Sequence, residues 1–219
     1  MDKLLKLTGC GETSKAPDII TISLNILGEN KDYNDAMSEC DKKVMSLKES
    51  LKSVGLEDSQ IKTTDFRVKT INKYVEQFKQ GKYVFDKFSV SHSLSVKLPF
   101  DLKLLARSID KIVESNVSPN FSINFSVEDE KLLKERAIAE AVKDCKEKAD
   151  ILAESAGVKL KDIVSIDHSF QQVNVYMPRA MSYDYEAGSV MTKASQAIES
   201  INVEDIKIRA NVTMQWEID

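Results

Sequence analysis

The stretch "TGCGETSKAPD", Thr8 to Asp18, sets two glycines around a cysteine, ahead of a polar run and a Pro-Asp step. A dinucleotide fingerprint needs G-x-G-x-x-G opening directly into a helix, and here Ser14 stands where the third glycine would be. A P-loop needs Gly-Lys-Ser/Thr, which is absent. The chain continues instead into "IITISLNI", an alternating strand with no helix N-terminus to hold phosphate. "LTGC" has the outline of a lipid-attachment site, but Lys3 and Lys6 interrupt the apolar run that such a signal requires. Glycine in a strand marks a bulge or a close backbone approach. The expectation is a bend between two strands, with Pro17 opening the second.

Histidine offers the next chemistry, and only His92 and His168 are present. His92 shares an apolar side with Val90 and Leu94, and His168 shares one with Ile166 and Phe170. Meeting across the sheet, the pair would make a metal or proton-transfer site with Asp167 or Asp65 as third ligand. Those acids alternate to other faces or lie elsewhere, so hydrogen-bonded interior histidines are expected. Cys10, Cys40 and Cys145 are odd in number, far apart and without a CxxC pair. That argues against a disulfide framework and a thiolate zinc site. Nucleophile elbows and paired catalytic acids are also missing. The expectation is no catalytic residue, no cofactor and no metal. The sequons at Asn116, Asn120, Asn124 and Asn211 read as polar residues on wet strand faces.

The elements around these residues are regular. In "IKIRANVTMQWEI" the residues from Ile206 to Ile218 alternate apolar and polar, as do Phe121 to Val127 and Ile20 to Ile26. "FRVKTINKYVEQF" and "YVFDKFSVSHSLSVKL" read as a long hairpin turning at "KQGK". One polar face per strand implies antiparallel sheet. Three helices alternate with the strands. The first is expected over about 32–54, with Ala36, Cys40, Val44, Leu47, Leu51 and Val54 on one stripe. The second follows an Asp101 N-cap and turns Leu105, Ile109 and Ile112 inward. The third is expected to start near Glu128 and end at Gly157, with a seam of Ile138, Ala141, Cys145, Ala149, Leu152 and Ala156. Both Gly55 and Gly157 suit helix C-termini.

The fold class is therefore α+β: antiparallel sheet with three main helices packed on one side. It forms one unit over 1–219, at most divided into sub-lobes of about 1–98 and 99–219. With 31 Lys+Arg against 35 Asp+Glu, the net charge is -4, which argues against nucleic acid as partner. No apolar run is long enough for a membrane span. With no export signal the sequence as written reads as cytoplasmic, or as periplasmic or cell-envelope if a leader has been removed. Residues 168–200 lack sustained periodicity. Phe170, Tyr176, Met177, Met181, Tyr183 and Tyr185 form an aromatic and Met-rich arm suited to an interface.

The order of parts resembles the SIMPL-domain family, which includes bacterial periplasmic stress-defence and immunogenic proteins. The resemblance runs from "LTGCGETSKAPDIITISLNI" through "SLKSVGLEDSQIKTTDFRV" and "HSLSVKL". It continues in "FSINFSVEDEKLLKERAIAEAVKDCKEKADILAESAGVKLKDIVSI" and closes with "VEDIKIRANVTMQWEI". It implies an α+β fold, oligomers in some members, and no catalytic residues to carry over. The leading expectation is a non-enzymatic, self-assembling protein, a homo-oligomer of stress or envelope physiology. The alternatives are an adaptor binding a protein or ligand through residues 170–185, and a metal-dependent enzyme centred on His92 and His168.

Overall fold

The computed structural model describes residues 3–77, 80–117, 119–168, 174–176, 182–183 and 201–219. In chain order the elements are β1 (Leu4–Lys15), β2 (Ile19–Asn30), α1 (Tyr33–Lys52), β3 (Ile61–Gln77), β4 (Gln80–Pro99), α2 (Leu102–Glu114), β5 (Asn120–Ser126), α3 (Glu130–Ala156), β6 (Leu160–Asp167), β7 (Asn174–Tyr176), β8 (Ser182–Tyr183) and β9 (Ile206–Ile218). The expected α+β class is observed, with the strands divided between two sheets. The chain forms two compact units. Unit 1 takes Met1–Asp18, Ser126–Pro178 and Val203–Asp219, and unit 2 takes Ile19–Phe125 and Arg179–Asn202.

In unit 1 the strand order is β1-β9-β6, with antiparallel pairing throughout, and β7 also pairs with β9. β9 alternates as its sequence requires. Ile206, Ile208, Ala210, Val212, Met214 and Trp216 are buried in one core with α3. The helix starts at Asp129, whose carboxylate accepts the Leu132 N–H at 2.9 Å. It stops at Gly157, where φ is 68°, a left-handed cap.

The α3 seam meets expectation at Ala141, Cys145 and Ala149 and differs at its other three positions. Its buried row is Leu133, Ala137, Ala141, Cys145, Ala149 and Ala153, a strict four-residue step. Leu152 is exposed and Ala156 lies outside the row, while Ile138 only flanks the core. The larger side chains misled because the contact is backbone-close. A helix pressed against glycines buries its smallest residues, not its bulkiest.

In unit 2 the order is β3-β4-β2-β5-β8. Ile20, Ile22, Leu24 and Ile26 of β2 are fully buried, matching the alternation. α1 is capped by Asp32, which accepts N–H bonds from Asn34 at 2.7 Å and Asp35 at 3.1 Å. α2 is capped by Asp101 in the same way, at 2.9 and 3.0 Å. Both helices turn their expected stripes inward; Val54 falls beyond the end of α1. β2 pairs with β4 only as far as Asn30 and Phe88. Beyond that point β3 and β4 continue together to Gln77 and Gln80 as a two-stranded ribbon.

Candidate functional site

The glycines of the opening stretch lie inside one unbroken strand. β1 runs in continuous register with β9 from Leu4 to Lys15, so the expected bend is confined to Ala16–Asp18. A Cβ on Gly9 would stand 2.2 Å from the Ala141 carbonyl oxygen and 2.5 Å from the Cys145 amide. On Gly11 it would stand 2.0 Å from the Ala137 carbonyl oxygen. The glycines are therefore a seat for α3, the close-approach alternative. At the Pro-Asp step, Asp18 donates its N–H to the Ser126 carbonyl at 3.1 Å and accepts the Glu128 N–H at 2.7 Å. Lys15 at 2.5 Å foremost, and then the Glu128 N–H, hold its carboxyl below the usual carboxylate range. The step pins together the points where the chain leaves unit 1 and returns.

Unit 2 repeats the seat, a feature the sequence reading missed. A Cβ on Gly28 of β2 would stand 2.4 Å from the Ala36 carbonyl oxygen and 2.6 Å from the Cys40 amide. The shared signal is Ala-x-x-x-Cys, "AMSEC" at 36–40 and "AVKDC" at 141–145. Both thiols point to the carbonyl two residues before the seating glycine: Cys40 to Ile26 at 3.9 Å, Cys145 to Leu7 at 3.5 Å. Cys40 and Cys145 are buried, and burial pushes the Cys40 thiol pKa up. Cysteine here is a small apolar residue filling the groove, far from a nucleophile.

His92 stands on β4, opposite Ile26 on one side and Phe66 on the other. Its Nε2 meets the Thr63 hydroxyl at 2.9 Å, and the Phe66 ring lies edge-on at 5.4 Å. Nδ1 is buried and makes no hydrogen bond among the described residues. Burial lowers the pKa of the ring, Lys48 of α1 lowers it further, and Asp41 opposes them. Proton-transfer histidines are oriented by a partner on the far nitrogen, and His92 has none there. His168 follows β6 in unit 1, so the two histidines do not share a sheet. Among the described residues, no three of His, Cys, Asp and Glu are grouped to hold a metal ion.

The opposite face of the unit 2 sheet is polar. Asn25, Asp65, Arg67, Lys69, Ser91 and Ser93 line an open trough there. Asn25 Oδ1 accepts from the Ser91 hydroxyl at 2.7 Å, and Asp65 pairs with Arg67 at 2.7 Å. These groups mostly satisfy one another.

The two edges of the unit 1 sheet contrast. At β1 the Cys10 N–H donates to Asp144 of α3 at 2.7 Å, and Lys148 pairs with the same carboxylate at 2.7 Å. Those bonds, Lys148 before Cys10, lower the Asp144 pKa. One free amide of the edge is thus closed by the helix. At β6 no described strand pairs with the outer edge, and Ile163, Val164 and Ile166 are 42%, 57% and 57% exposed.

Phe170, Met177, Met181 and Tyr185 lie outside the described residues, and Tyr176 and Tyr183 are described only as backbone in β7 and β8. The chain matches the family model SIMPL, a protein of unknown function (DUF541), over residues 5–216. It is also similar to the 26 kDa periplasmic immunogenic proteins of Brucella melitensis biotype 1 and Brucella abortus strain S19. Each is 26% identical over 163 residues, covering 74% of this chain and 65% of the relative. The chain thus spans just under two thirds of those relatives. With the family model covering nearly its whole length, this chain belongs to the SIMPL family.

Proposed function

We propose that this SIMPL protein is a non-catalytic, self-associating component of the cell envelope, and that copies pair along the outer edge of β6. The observation that carries the reading is the apolar outer edge of β6, with which no described strand pairs, in a sheet whose other edge has only its Cys10 amide taken by Asp144. Unpaired strand edges template pairing with another chain unless they are blocked. An antiparallel second copy centred on Val164 would set each Lys161 opposite an Asp167, both on the polar side of the strand. The envelope assignment is supported by relatives named as periplasmic. The non-catalytic assignment is supported by His92, whose Nδ1 has no orienting partner among the described residues, and by the two seated cysteines.

Light scattering coupled to sizing, over a range of concentrations, tests the proposal. The expected result is a multiple of the chain mass that dissociates on dilution and shifts to monomer in Ile163→Lys or Val164→Lys. A strict monomer at every concentration overturns it.

A further inference from the structure

We infer that the β3–β4 ribbon is an interfacial arm that docks on the surface of an anionic phospholipid bilayer. The inference concerns unit 2 alone and does not depend on pairing along β6.

The ribbon is amphipathic across its two faces. Tyr74 faces Tyr83 at 5.3 Å between ring centroids, and Phe85 meets Phe88 at 5.1 Å. Phe88 in turn packs on Tyr33 at the start of α1, at 5.8 Å. Tyr83 and Phe85, two residues apart, share one face with Tyr74. Within this aromatic face Tyr74, Tyr83 and Phe85 are 61%, 75% and 46% exposed. Strand pairing of Lys73 with Val84 and of Val75 with Lys82 turns both lysines to the other face, which Arg67 and Lys69 continue toward the sheet.

Charge selects the partner. Residues 67–88 carry Arg67, Lys69, Lys73, Lys79, Lys82 and Lys87 against only Glu76 and Asp86, in a chain whose net charge is -4. Lys73 is paired with Asp86, Lys87 with Glu29 and Arg67 with Asp65. Lys69 and Lys82 have no acid within ion-pair distance among the described residues. An aromatic face backed by cations is the chemistry of elements that lie in the headgroup layer. The rings enter the acyl boundary while lysine stems reach back to phosphate. The ribbon projects beyond the third strand by seven residues on β3, from Ile71 to Gln77, a reach of about 20 Å at strand rise. That is long enough to lay all three exposed rings on a surface. No helix among the described residues is long and apolar enough to cross a membrane, so this attachment would be peripheral.

The test uses the full chain with vesicles of phosphatidylcholine alone and of equal phosphatidylcholine and phosphatidylglycerol. Trp216 is the single tryptophan and is buried in unit 1, so Tyr83→Trp adds a reporter on the ribbon alone. Its emission should shift to the blue with anionic vesicles only, and salt should reverse the shift. The double variants Lys69→Glu/Lys82→Glu and Tyr74→Ser/Phe85→Ser should each weaken co-sedimentation about tenfold or more. Circular dichroism should match the parent, since all four positions are exposed. Equal binding to neutral vesicles, or binding that both double variants retain, overturns the inference. Ribbon-dependent binding to single-stranded DNA without vesicle binding also overturns it, as does a ribbon that changes only the oligomer size.

Discussion

Units 1 and 2 share a plan that their lengths conceal. In each, a first strand bearing a seating glycine lies under a helix carrying Ala-x-x-x-Cys. A glycine with positive φ follows each helix, Gly55 at 93° shortly after α1 and Gly157 at 68° as the cap of α3. An edge strand follows, then a central strand that pairs back on the first, giving orders β3-β4-β2 and β6-β9-β1. The registers correspond as well. Gly28 is opposite Val90, and Gly9 is opposite Val212. Ile26, which takes the Cys40 thiol, is opposite His92; Leu7, which takes the Cys145 thiol, is opposite Met214. His92 therefore occupies the position that methionine fills in the other unit. The lesson is that this histidine sits at a packing position, which its residue type alone does not reveal. The differences are additions: unit 2 carries α2, β5 and the ribbon, and unit 1 carries a second seating glycine, Gly11.

The largest expected effect tests the two seats against each other. Gly9→Ala should cost about 3 kcal/mol in urea unfolding, because the methyl group meets helix backbone that cannot turn aside. Gly28→Ala should cost a similar amount, a little less given its slightly wider clearances. A neutral Gly28→Ala beside a damaging Gly9→Ala would end the equivalence. Asp144→Ala should cost about 1 kcal/mol and leave the Cys10 amide free at the β1 edge. A rise in oligomer size in that variant would sharpen the contrast with β6.

His92→Met should be close to neutral above pH 7 and should reduce the acid sensitivity of the protein. The sign follows from linkage. The folded pKa lies below the ordinary 6.5, so the unfolded chain binds the extra proton first. Stability is full above 6.5 and is lost as pH falls through the folded pKa; Lys48 and Asp41 are the charges that bear on the ring. Melts at pH 5 and pH 7.5 read this directly, and an unchanged pH profile in the variant would refute it. The smallest effect is kinetic. Cys10 should react rapidly with a thiol reagent, while Cys40 and Cys145 should react only on unfolding. Fast labelling of one buried cysteine alone would show that its seat opens.

The candidate site was less legible than the fold. Strand alternation from Ile206 to Trp216 and from Ile20 to Ile26 was readable, because a two-residue period needs no knowledge of the partner strand. The α3 seam was readable at Ala141, Cys145 and Ala149 but not at Leu133, Ala137 and Ala153, whose places Ile138, Leu152 and Ala156 took in the expectation. The true contact face is chosen by a glycine strand more than 120 residues earlier. Asp144 has a role at the edge only through its bond to Cys10, a residue 134 positions away in the chain.

Local chemistry was enough to specify where helices begin and stop. Asp32, Asp101 and Asp129 cap with their own side chains, and Gly157 terminates through a backbone conformation that few other residues tolerate. Long-range packing alone decided that β1 joins β9, that Asp144 reaches one amide of the β1 edge, and that His92 stands at the position Met214 holds in the other unit. Those outcomes depend on which surfaces meet across the fold, and neighbours along the chain carry no record of that.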